Sequence, residues 1–108
     1  MILLDTREAL ARLFNIKDGT RIAYTPNVTE SLNLGLKGWL KPGDHVITTS
    51  MEHNAVARPV YAMTRQGLEW TAVKCDPRGM LDPQDIERAI QTNTKMICIL
   101  HASNISGT

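Results

Sequence analysis

The stretch His45-Val46-Ile47-Thr48-Thr49, followed by Ser50-Met51-Glu52-His53-Asn54, decides how this chain folds. The residues after His45 in the first part are all β-branched, which is typical of a buried strand. The second part is mostly polar and leads into a helical pattern. Ligands bind beyond the carboxyl ends of parallel strands, so a histidine directly after such a strand is well placed to meet one.

Outward from this stretch, helices and strands alternate along the chain. Turn residues and apolar periodicity predict strands at residues 21–25, 45–49, 69–74 and 95–100, and helices at 5–16, 29–40, 54–66 and from residue 82 onward. Strands separated by helices must be joined by crossovers, which favours a parallel sheet. The last strand is apolar on both faces, as in the centre of a sheet. The predicted fold class is therefore α/β, with a mostly parallel sheet.

The first helix is predicted to begin at a capping box formed by Asp5 and Glu8. Its apolar face would consist of Leu10, Leu13 and Phe14, which recur at helical spacing. Both features indicate a helix that packs against the rest of the domain.

Two prolines mark the later helices. Pro59 lies inside the pattern at 54–66 and implies either a late start or a kink, because proline cannot donate its backbone hydrogen bond. Asp82-Pro83 is a helix start, with an N-cap aspartate and proline at the first helical position.

Length and composition limit the classes of function. The chain has 108 residues and a net charge of +1, which fits one domain and gives no reason to expect nucleic acid or an anionic membrane as partner. No apolar run approaches the roughly 20 residues that cross a bilayer. The two cysteines, Cys75 and Cys98, form neither a disulfide framework nor a zinc pattern. A reduced, cytoplasmic protein without a metal site is predicted.

Polar residues cluster after the predicted strands. Thr25-Pro26-Asn27-Val28-Thr29 leads into a helix N-terminus, which favours an anion such as phosphate. The alternative is that Thr29 or Asn27 is only an N-cap. Neither GxGxxG nor GxxxxGK[ST] is present, so a Rossmann dinucleotide site and a P-loop are not supported.

Two histidines also follow predicted strands. His53 could act as a base, a metal ligand or a stacking surface, although a single loop histidine is more often solvated or a cap. His101, with Ser103 and Asn104, supplies donors and acceptors but would also suit an ordinary loop. Each signal alone is weak.

Taken together, these segments resemble one family. The matching segments, in order, are Thr29-Glu30-Ser31-Leu32-Asn33-Leu34, Pro42-Gly43-Asp44-His45-Val46-Ile47, Ser50-Met51-Glu52-His53-Asn54, Gly79-Met80-Leu81-Asp82 and His101-Ala102-Ser103-Asn104-Ile105-Ser106-Gly107-Thr108. Their order and spacing resemble the cysteine desulfurase and selenocysteine lyase branch of the class V aminotransferases. The resemblance implies a fold-type I enzyme that uses pyridoxal 5′-phosphate (PLP).

The resemblance also assigns roles to individual residues. Val28 and Thr29 would hold the PLP phosphate, His53 would be the catalytic residue that stacks on the pyridine ring, and Asn104 would hydrogen-bond the ring hydroxyl. Asn27 departs from the family, which usually has glycine there.

The resemblance further implies that residues 1–108 are an internal piece of the large, cofactor-binding domain. In the family, the Schiff-base lysine, the aspartate that pairs with the pyridine nitrogen, the catalytic cysteine and the C-terminal substrate domain all come after the matching Gly-Thr. The piece alone is therefore expected to be inactive. The intact enzyme would act on cysteine or selenocysteine, and the choice between desulfurase, selenocysteine lyase and aminotransferase depends on residues outside this stretch.

The family topology makes a structural prediction. Its sheet places the last three strands of this chain side by side, whereas the strand at 21–25 would lie beyond strands encoded downstream. That strand is expected to pair with a different strand, to join the sheet of another chain or to leave exposed strand edges. Because exposed edges promote pairing between chains, a homodimer or association through sheet edges is also expected. The alternative function is a non-catalytic α/β module that binds a phosphate-containing ligand or a partner subunit.

Overall fold

The computed structural model describes all residues from 1 to 108. The helices are α1 (Ile2–Leu13), α2 (Val28–Trp39), α3 (Asn54–Thr64) and α4 (Pro83–Ala89), with a short 3-10 helix at Gly19–Arg21. The strands are β1 (His45–Thr49), β2 (Glu69–Val73) and β3 (Thr94–Cys98). None of the helices is both long and apolar enough to span a bilayer.

The three strands form one parallel sheet in the order β2-β1-β3. All five residues of β1 are buried, whereas the residues of β3 alternate between half-buried and exposed. The parallel α/β fold and the pairing of these three strands are confirmed. The expectation of a central last strand is wrong in this chain, because β1 occupies the centre and β3 forms an edge.

Helices cover both faces of the sheet, because successive strand side chains point to opposite sides. On one face Val46 packs with α2 and α3 in a core of buried residues comprising Leu36, Leu40, Val46, Val56, Val60 and Leu68. On the other face Ile47 packs with Val73 and with Ile86 of α4. The result is a layered α/β/α arrangement whose centre is β1.

His45 is a buried polar residue at the start of β1, with 1% of its surface exposed. Its Nδ1 lies 2.7 Å from the Thr94 hydroxyl on β3, and its Nε2 lies 2.9 Å from the Thr71 hydroxyl on β2. Thr94 Oγ1 also accepts the Gln91 backbone N–H at 2.8 Å. The ring therefore connects all three strands of the sheet, and both of its nitrogens are satisfied, as buried polar groups require.

Two predictions about helix starts had different outcomes. Asp82 accepts the Gln84 N–H and Pro83 is the first residue of α4, which confirms that start. α3 begins at Asn54 and continues through Pro59, so a late start is wrong. Pro59 is buried on the side of α3 that lines a groove towards α2, and burial of its ring offsets part of the cost of the missing hydrogen bond.

The first helix differs from the prediction. α1 begins at Ile2 and ends at Leu13, and Met1 caps it without a side-chain hydrogen bond, so the capping box at Asp5 is wrong. Leu13 and Phe14 are 73% and 67% exposed, and only Ala11 of this helix is buried. Of the predicted apolar face, Leu10 is half-buried, whereas Leu13 and Phe14 remain largely uncovered in this chain.

Residues 21–25 do not form a strand. Gly19–Arg21 is a 3-10 helix, and residues 22–25 are irregular and join no strand of the sheet. This segment instead contacts α1: the Tyr24 hydroxyl donates to the Leu3 carbonyl at 3.0 Å, and the Arg7 guanidinium lies 5.3 Å from the Tyr24 ring. Re-pairing within the chain does not occur, because the segment joins no strand of the sheet, and its association with another chain stays a prediction.

Candidate functional site

His53 lies in the turn between β1 and α3 and is the N-cap of α3. Its Nδ1 accepts a hydrogen bond from the Ala55 backbone N–H at 3.0 Å. A ring nitrogen that accepts carries no hydrogen, so the neutral ring has its hydrogen on Nε2. The side chain is exposed, and Nε2 has no partner within the chain. His53 therefore presents a ring with an assigned tautomer and one free donor.

The N-terminus of α2 has donors without partners. The Asn27 side-chain oxygen accepts the Glu30 N–H at 2.9 Å, so of the two alternatives Asn27 is the cap and Thr29 is not. The backbone N–H groups of Val28 and Thr29 have no acceptor in the chain. Free N–H groups at the positive end of a helix favour a bound anion.

A groove of about 420 Å³ runs between α2 and α3 and contains two of the predicted site residues. Thr29 and His53 both line it. The other lining residues are Asn33, Lys37, Asn54, Ala55, Arg58, Pro59 and Ala62. Neither Lys37 nor Arg58 takes part in a salt bridge, and no acidic residue lines the groove. The groove combines a helix N-terminus, an aromatic ring and positive charge, which suits a ligand with a ring and a phosphate.

Asn104 and Val28 are not among the residues that line this groove. Asn104 lies exposed in a turn built around Ser103, which is only 7% exposed. Ser103 Oγ accepts the N–H groups of Ile105 and Ser106, and its backbone N–H donates to the Thr108 carbonyl at 2.8 Å. The Asn104 side chain makes no hydrogen bond within the chain and is free for a ligand.

The loops after all three strands converge, as the sequence predicted. A second cavity, of about 210 Å³, is lined by residues that follow β1, β2 and β3. Its lining includes Thr49, Met51, Cys75, Leu100 and His101. The segments that follow the three strands therefore meet at the carboxyl edge of the sheet, although neither His53 nor Asn104 lines this cavity.

The two cysteines are both free and half-buried, and one is electrostatically perturbed. Cys98 is the last residue of β3, because the strand ends two residues earlier than the predicted strand at 95–100, and its side chain packs against the core. Burial raises the pKa of the Cys98 thiol, and the negative charge of Glu52 raises it further. Cys98 is thus held as a neutral thiol beside the turn that carries His53.

Three residues of the groove were not singled out from the sequence. Asn33, Lys37 and Arg58 line it together with Thr29 and His53. Thr29, Asn33 and Lys37 follow one another at intervals of four along α2, so the signal was a polar stripe on one helix face. A stripe of this kind usually faces solvent, and only the position of α3 turns it into the wall of a groove.

Comparison with known proteins identifies the family. The profile of the aminotransferase class-V family matches residues 1–108. The chain belongs to this family. The sheet order and the position of the polar loops agree with the resemblance that the motifs carry.

Curated relatives of this chain are named cysteine desulfurases. IscS from Dictyoglomus turgidum is 35% identical over 108 residues, a match that covers 96% of this chain and 27% of the relative. IscS from Vibrio campbellii is 36% identical over 105 residues, covering 94% of this chain and 26% of the relative. The chain spans about a quarter of the length of the curated relatives it matches.

Solved structures share the fold of this chain. SspA in complex with cysteine superposes with a TM-score of 0.82 at 30% identity, covering 94% of this chain and 30% of that one. The apo cysteine desulfurase from Thermococcus onnurineus gives a TM-score of 0.78 at 31% identity, covering 94% and 26%. The three strands and their helices therefore match the fold of PLP-dependent transferases.

Cysteine desulfurases of this family use PLP. The residues of this chain fit one end of that cofactor. The free N–H groups of Val28 and Thr29 suit a phosphate, and the exposed ring of His53, which shares the groove with Thr29, suits stacking. No lysine follows β1 or β3 directly, and Lys74 follows β2, which is an edge strand.

Proposed function

We propose that this chain is part of the cofactor domain of a PLP-dependent cysteine desulfurase. It contributes the phosphate end and one stacking wall of the PLP site. The groove shared by Thr29 and His53 carries this proposal, because it joins an anion-binding helix end to an aromatic ring. Membership of the class-V family and the cysteine desulfurase relatives support it.

Each residue has a defined task in the proposed site. The N–H groups of Val28 and Thr29 and the Thr29 hydroxyl bind phosphate oxygens, the positive end of α2 adding to the attraction. The His53 ring stacks on the pyridine ring, held by its Nδ1 hydrogen bond to the turn. Asn104 donates to or accepts from the ring hydroxyl.

The proposed activity belongs to the longer protein. It removes sulfur from cysteine and leaves alanine, or acts in the same way on selenocysteine. When bound, PLP supplies an electron sink for bonds at the substrate α-carbon. The residues of this chain hold and orient the cofactor, while the nucleophile and the covalent anchor lie elsewhere in the proposed enzyme.

Binding of a ligand that cannot react with lysine tests the site directly. We expect pyridoxine 5′-phosphate, which has no aldehyde, to bind this chain, and His53→Ala to weaken that binding by about tenfold through loss of stacking. Isothermal titration calorimetry of the 108-residue chain measures the effect.

His101→Ala is the matched control, since His101 is also an exposed histidine after a strand but does not line the groove. Equal affinity of the wild-type and His53→Ala chains would contradict the stacking role.

The chain alone is expected to be inactive and to form no stable covalent link with PLP. Lys74 lies beyond an edge strand, and Lys37, although it lines the groove, lies two turns of α2 from Thr29, or about 12 Å along the axis. Incubation with PLP, reduction with borohydride and mass spectrometry should therefore show only substoichiometric labelling spread over several lysines. Stoichiometric labelling of one lysine would overturn this expectation, and Lys37→Arg would then show whether Lys37 is that residue.

The second candidate function is a non-catalytic module for phosphate-containing ligands. The two unpaired cations of the groove, Lys37 and Arg58, favour it, because they attract any phosphate regardless of what it is attached to. Inorganic phosphate that binds as tightly as pyridoxine 5′-phosphate would favour this function. A clear preference for the ring-bearing ligand favours the cofactor site.

The proposed setting is a reduced compartment, the cytoplasm, in which Cys75 and Cys98 remain free thiols. We also propose a homodimer or association through sheet edges. β2 and β3 both have an open edge, and Ile97 and Ile99 are 44% and 48% exposed near one of them. Sedimentation velocity at several concentrations measures the association, and a concentration-independent monomer would exclude it.

A further inference from the structure

Glu52 forms two hydrogen bonds through one carboxylate oxygen. Oε1 accepts the Thr49 hydroxyl at 2.8 Å and the Leu100 backbone N–H at 3.0 Å. The residue is half-buried, and hydrogen bonds to a charged acceptor are stronger than those between neutral groups. Glu52, which directly precedes His53, is therefore hydrogen-bonded to Leu100, 48 positions further along the chain.

On the near side, Glu52 is part of a short chain of hydrogen bonds that closes the turn after β1. The Met51 N–H donates to Thr49 Oγ1 at 3.2 Å, and the Thr49 hydroxyl in turn donates to Glu52. Thr49 is the last residue of β1 and is buried. The turn that carries His53 is thereby fixed to the end of the central strand.

On the far side, Leu100 lies beyond the end of β3 and four residues before Asn104. No other hydrogen bond joins residues 50–54 to residues 99–108. The bond to Leu100 is thus the one polar connection between the turn that carries His53 and the loop that carries Asn104.

We propose that Glu52 is a positioning residue that sets the separation of His53 and Asn104. This inference rests on the proposed function, in which these two side chains hold the stacked face and the hydroxyl of one pyridine ring. The separation matters because the ring has a fixed size, and a loop that drifts loses its contact with the hydroxyl. Glu52 itself does not touch the cofactor in this arrangement.

The side-chain chemistry provides a rescue variant. In Glu52→Gln the amide oxygen can still accept both hydrogen bonds, whereas Glu52→Ala removes both and leaves the Leu100 N–H without a partner. Glu87→Ala is the matched control, because Glu87 is an exposed glutamate on α4 whose side chain makes no hydrogen bond.

The experiment uses the whole 108-residue chain labelled with ¹⁵N. We expect Glu52→Ala to speed hydrogen exchange of the Leu100 amide by about tenfold or more, and to move the side-chain amide signals of Asn104. The same variant should weaken binding of pyridoxine 5′-phosphate by about tenfold and leave binding of inorganic phosphate unchanged. Glu52→Gln should restore the Leu100 exchange rate and the affinity for pyridoxine 5′-phosphate to within about threefold of the original chain, and should return the Asn104 signals to their original positions. Glu87→Ala should change none of these measurements.

The selective loss of the ring-bearing ligand separates positioning from general damage. Equal weakening of pyridoxine 5′-phosphate and inorganic phosphate in Glu52→Ala would overturn the proposal, as would unmoved Asn104 signals. If the unmodified chain binds no pyridoxine 5′-phosphate, the proposed function fails. The exchange rate of Leu100 and the Asn104 signals then decide the positioning role independently.

Discussion

Replacing His45 with alanine is expected to lower the free energy of unfolding by about 3–5 kcal/mol. The variant creates a cavity at the start of the central strand and removes both contacts of the imidazole. The Thr71 hydroxyl loses its only hydrogen-bond partner, while Thr94 keeps the Gln91 N–H. Urea denaturation followed by circular dichroism measures the change.

The size of this effect follows from how the ring is held. The ring lies within hydrogen-bond distance of two hydroxyls: Nδ1 pairs with Thr94, which also accepts the Gln91 N–H, and Nε2 pairs with Thr71. The three parallel strands are joined by backbone ladders and also by this one side chain. Loss of a fully satisfied buried network costs more than loss of an exposed hydrogen bond.

A double-mutant cycle isolates the contact. Thr71→Val removes the hydroxyl that His45→Ala leaves without a partner, so the double variant should be more stable than the sum of the single effects by about 1 kcal/mol. His101→Ala should stay within about 0.5 kcal/mol of the original chain because it is exposed. A loss below about 1 kcal/mol for His45→Ala would show that the network contributes little.

Replacing Leu36 with alanine is expected to cost a similar amount, about 3–5 kcal/mol. Leu36 is 1% exposed and lies in the core between α2, α3 and the sheet. The lost burial and the cavity both destabilise the fold. Since a chain of this length has only about 5–15 kcal/mol in total, a loss of this size removes between about a fifth and all of its stability.

Leu34 on the same helix is the matched control, because it is 64% exposed. Leu34→Ala should change stability by less than about 0.5 kcal/mol. If Leu36→Ala fails to fold, Leu36→Val provides a smaller step, with an expected loss of about 1 kcal/mol. Equal effects at positions 34 and 36 would mean that α2 does not pack as described.

Local chemistry was sufficient to predict the central part of the fold. β1 could be recognised because four β-branched residues follow one another, and α4 because Asp82-Pro83 combines a cap with proline at the first helical position, where it costs no hydrogen bond. The alternation of strands and helices then required crossovers. These features depend only on residues that are close together in the sequence, so the sequence alone is enough to predict them.

The first 25 residues could not be predicted in the same way. Residues 21–25 have the composition of a strand, but a strand exists only when another strand satisfies its backbone groups, and none in this chain does. Phe14 likewise has helical spacing with no surface to cover it. The strand predicted at 21–25 and the predicted packing of Phe14 both depend on contacts with residues far away in sequence or in another chain, and a local pattern cannot show whether those contacts exist.

The candidate site could be predicted in part. The sequence placed Thr29 and His53 at strand ends, and the structure places both in one groove. Three further features are visible only in the folded structure. They are the choice of Asn27 as the cap, the acceptor role of His53 Nδ1 and the position of Lys37 in the groove. The bond from Glu52 to Leu100 joins residues far apart in sequence, so no local pattern could reveal it.

The cap of α2 has a consequence for ligand affinity. The side-chain oxygen of Asn27 already occupies the Glu30 N–H, which is the third donor at that helix end. An incoming phosphate must compete with an oxygen that is tethered to the protein and therefore present at a high effective concentration. Glycine, which the family usually has at this position, carries no such oxygen. In the proposed cofactor site, the Asn27 side chain would therefore stabilise the unliganded helix end and leave the phosphate one backbone donor fewer.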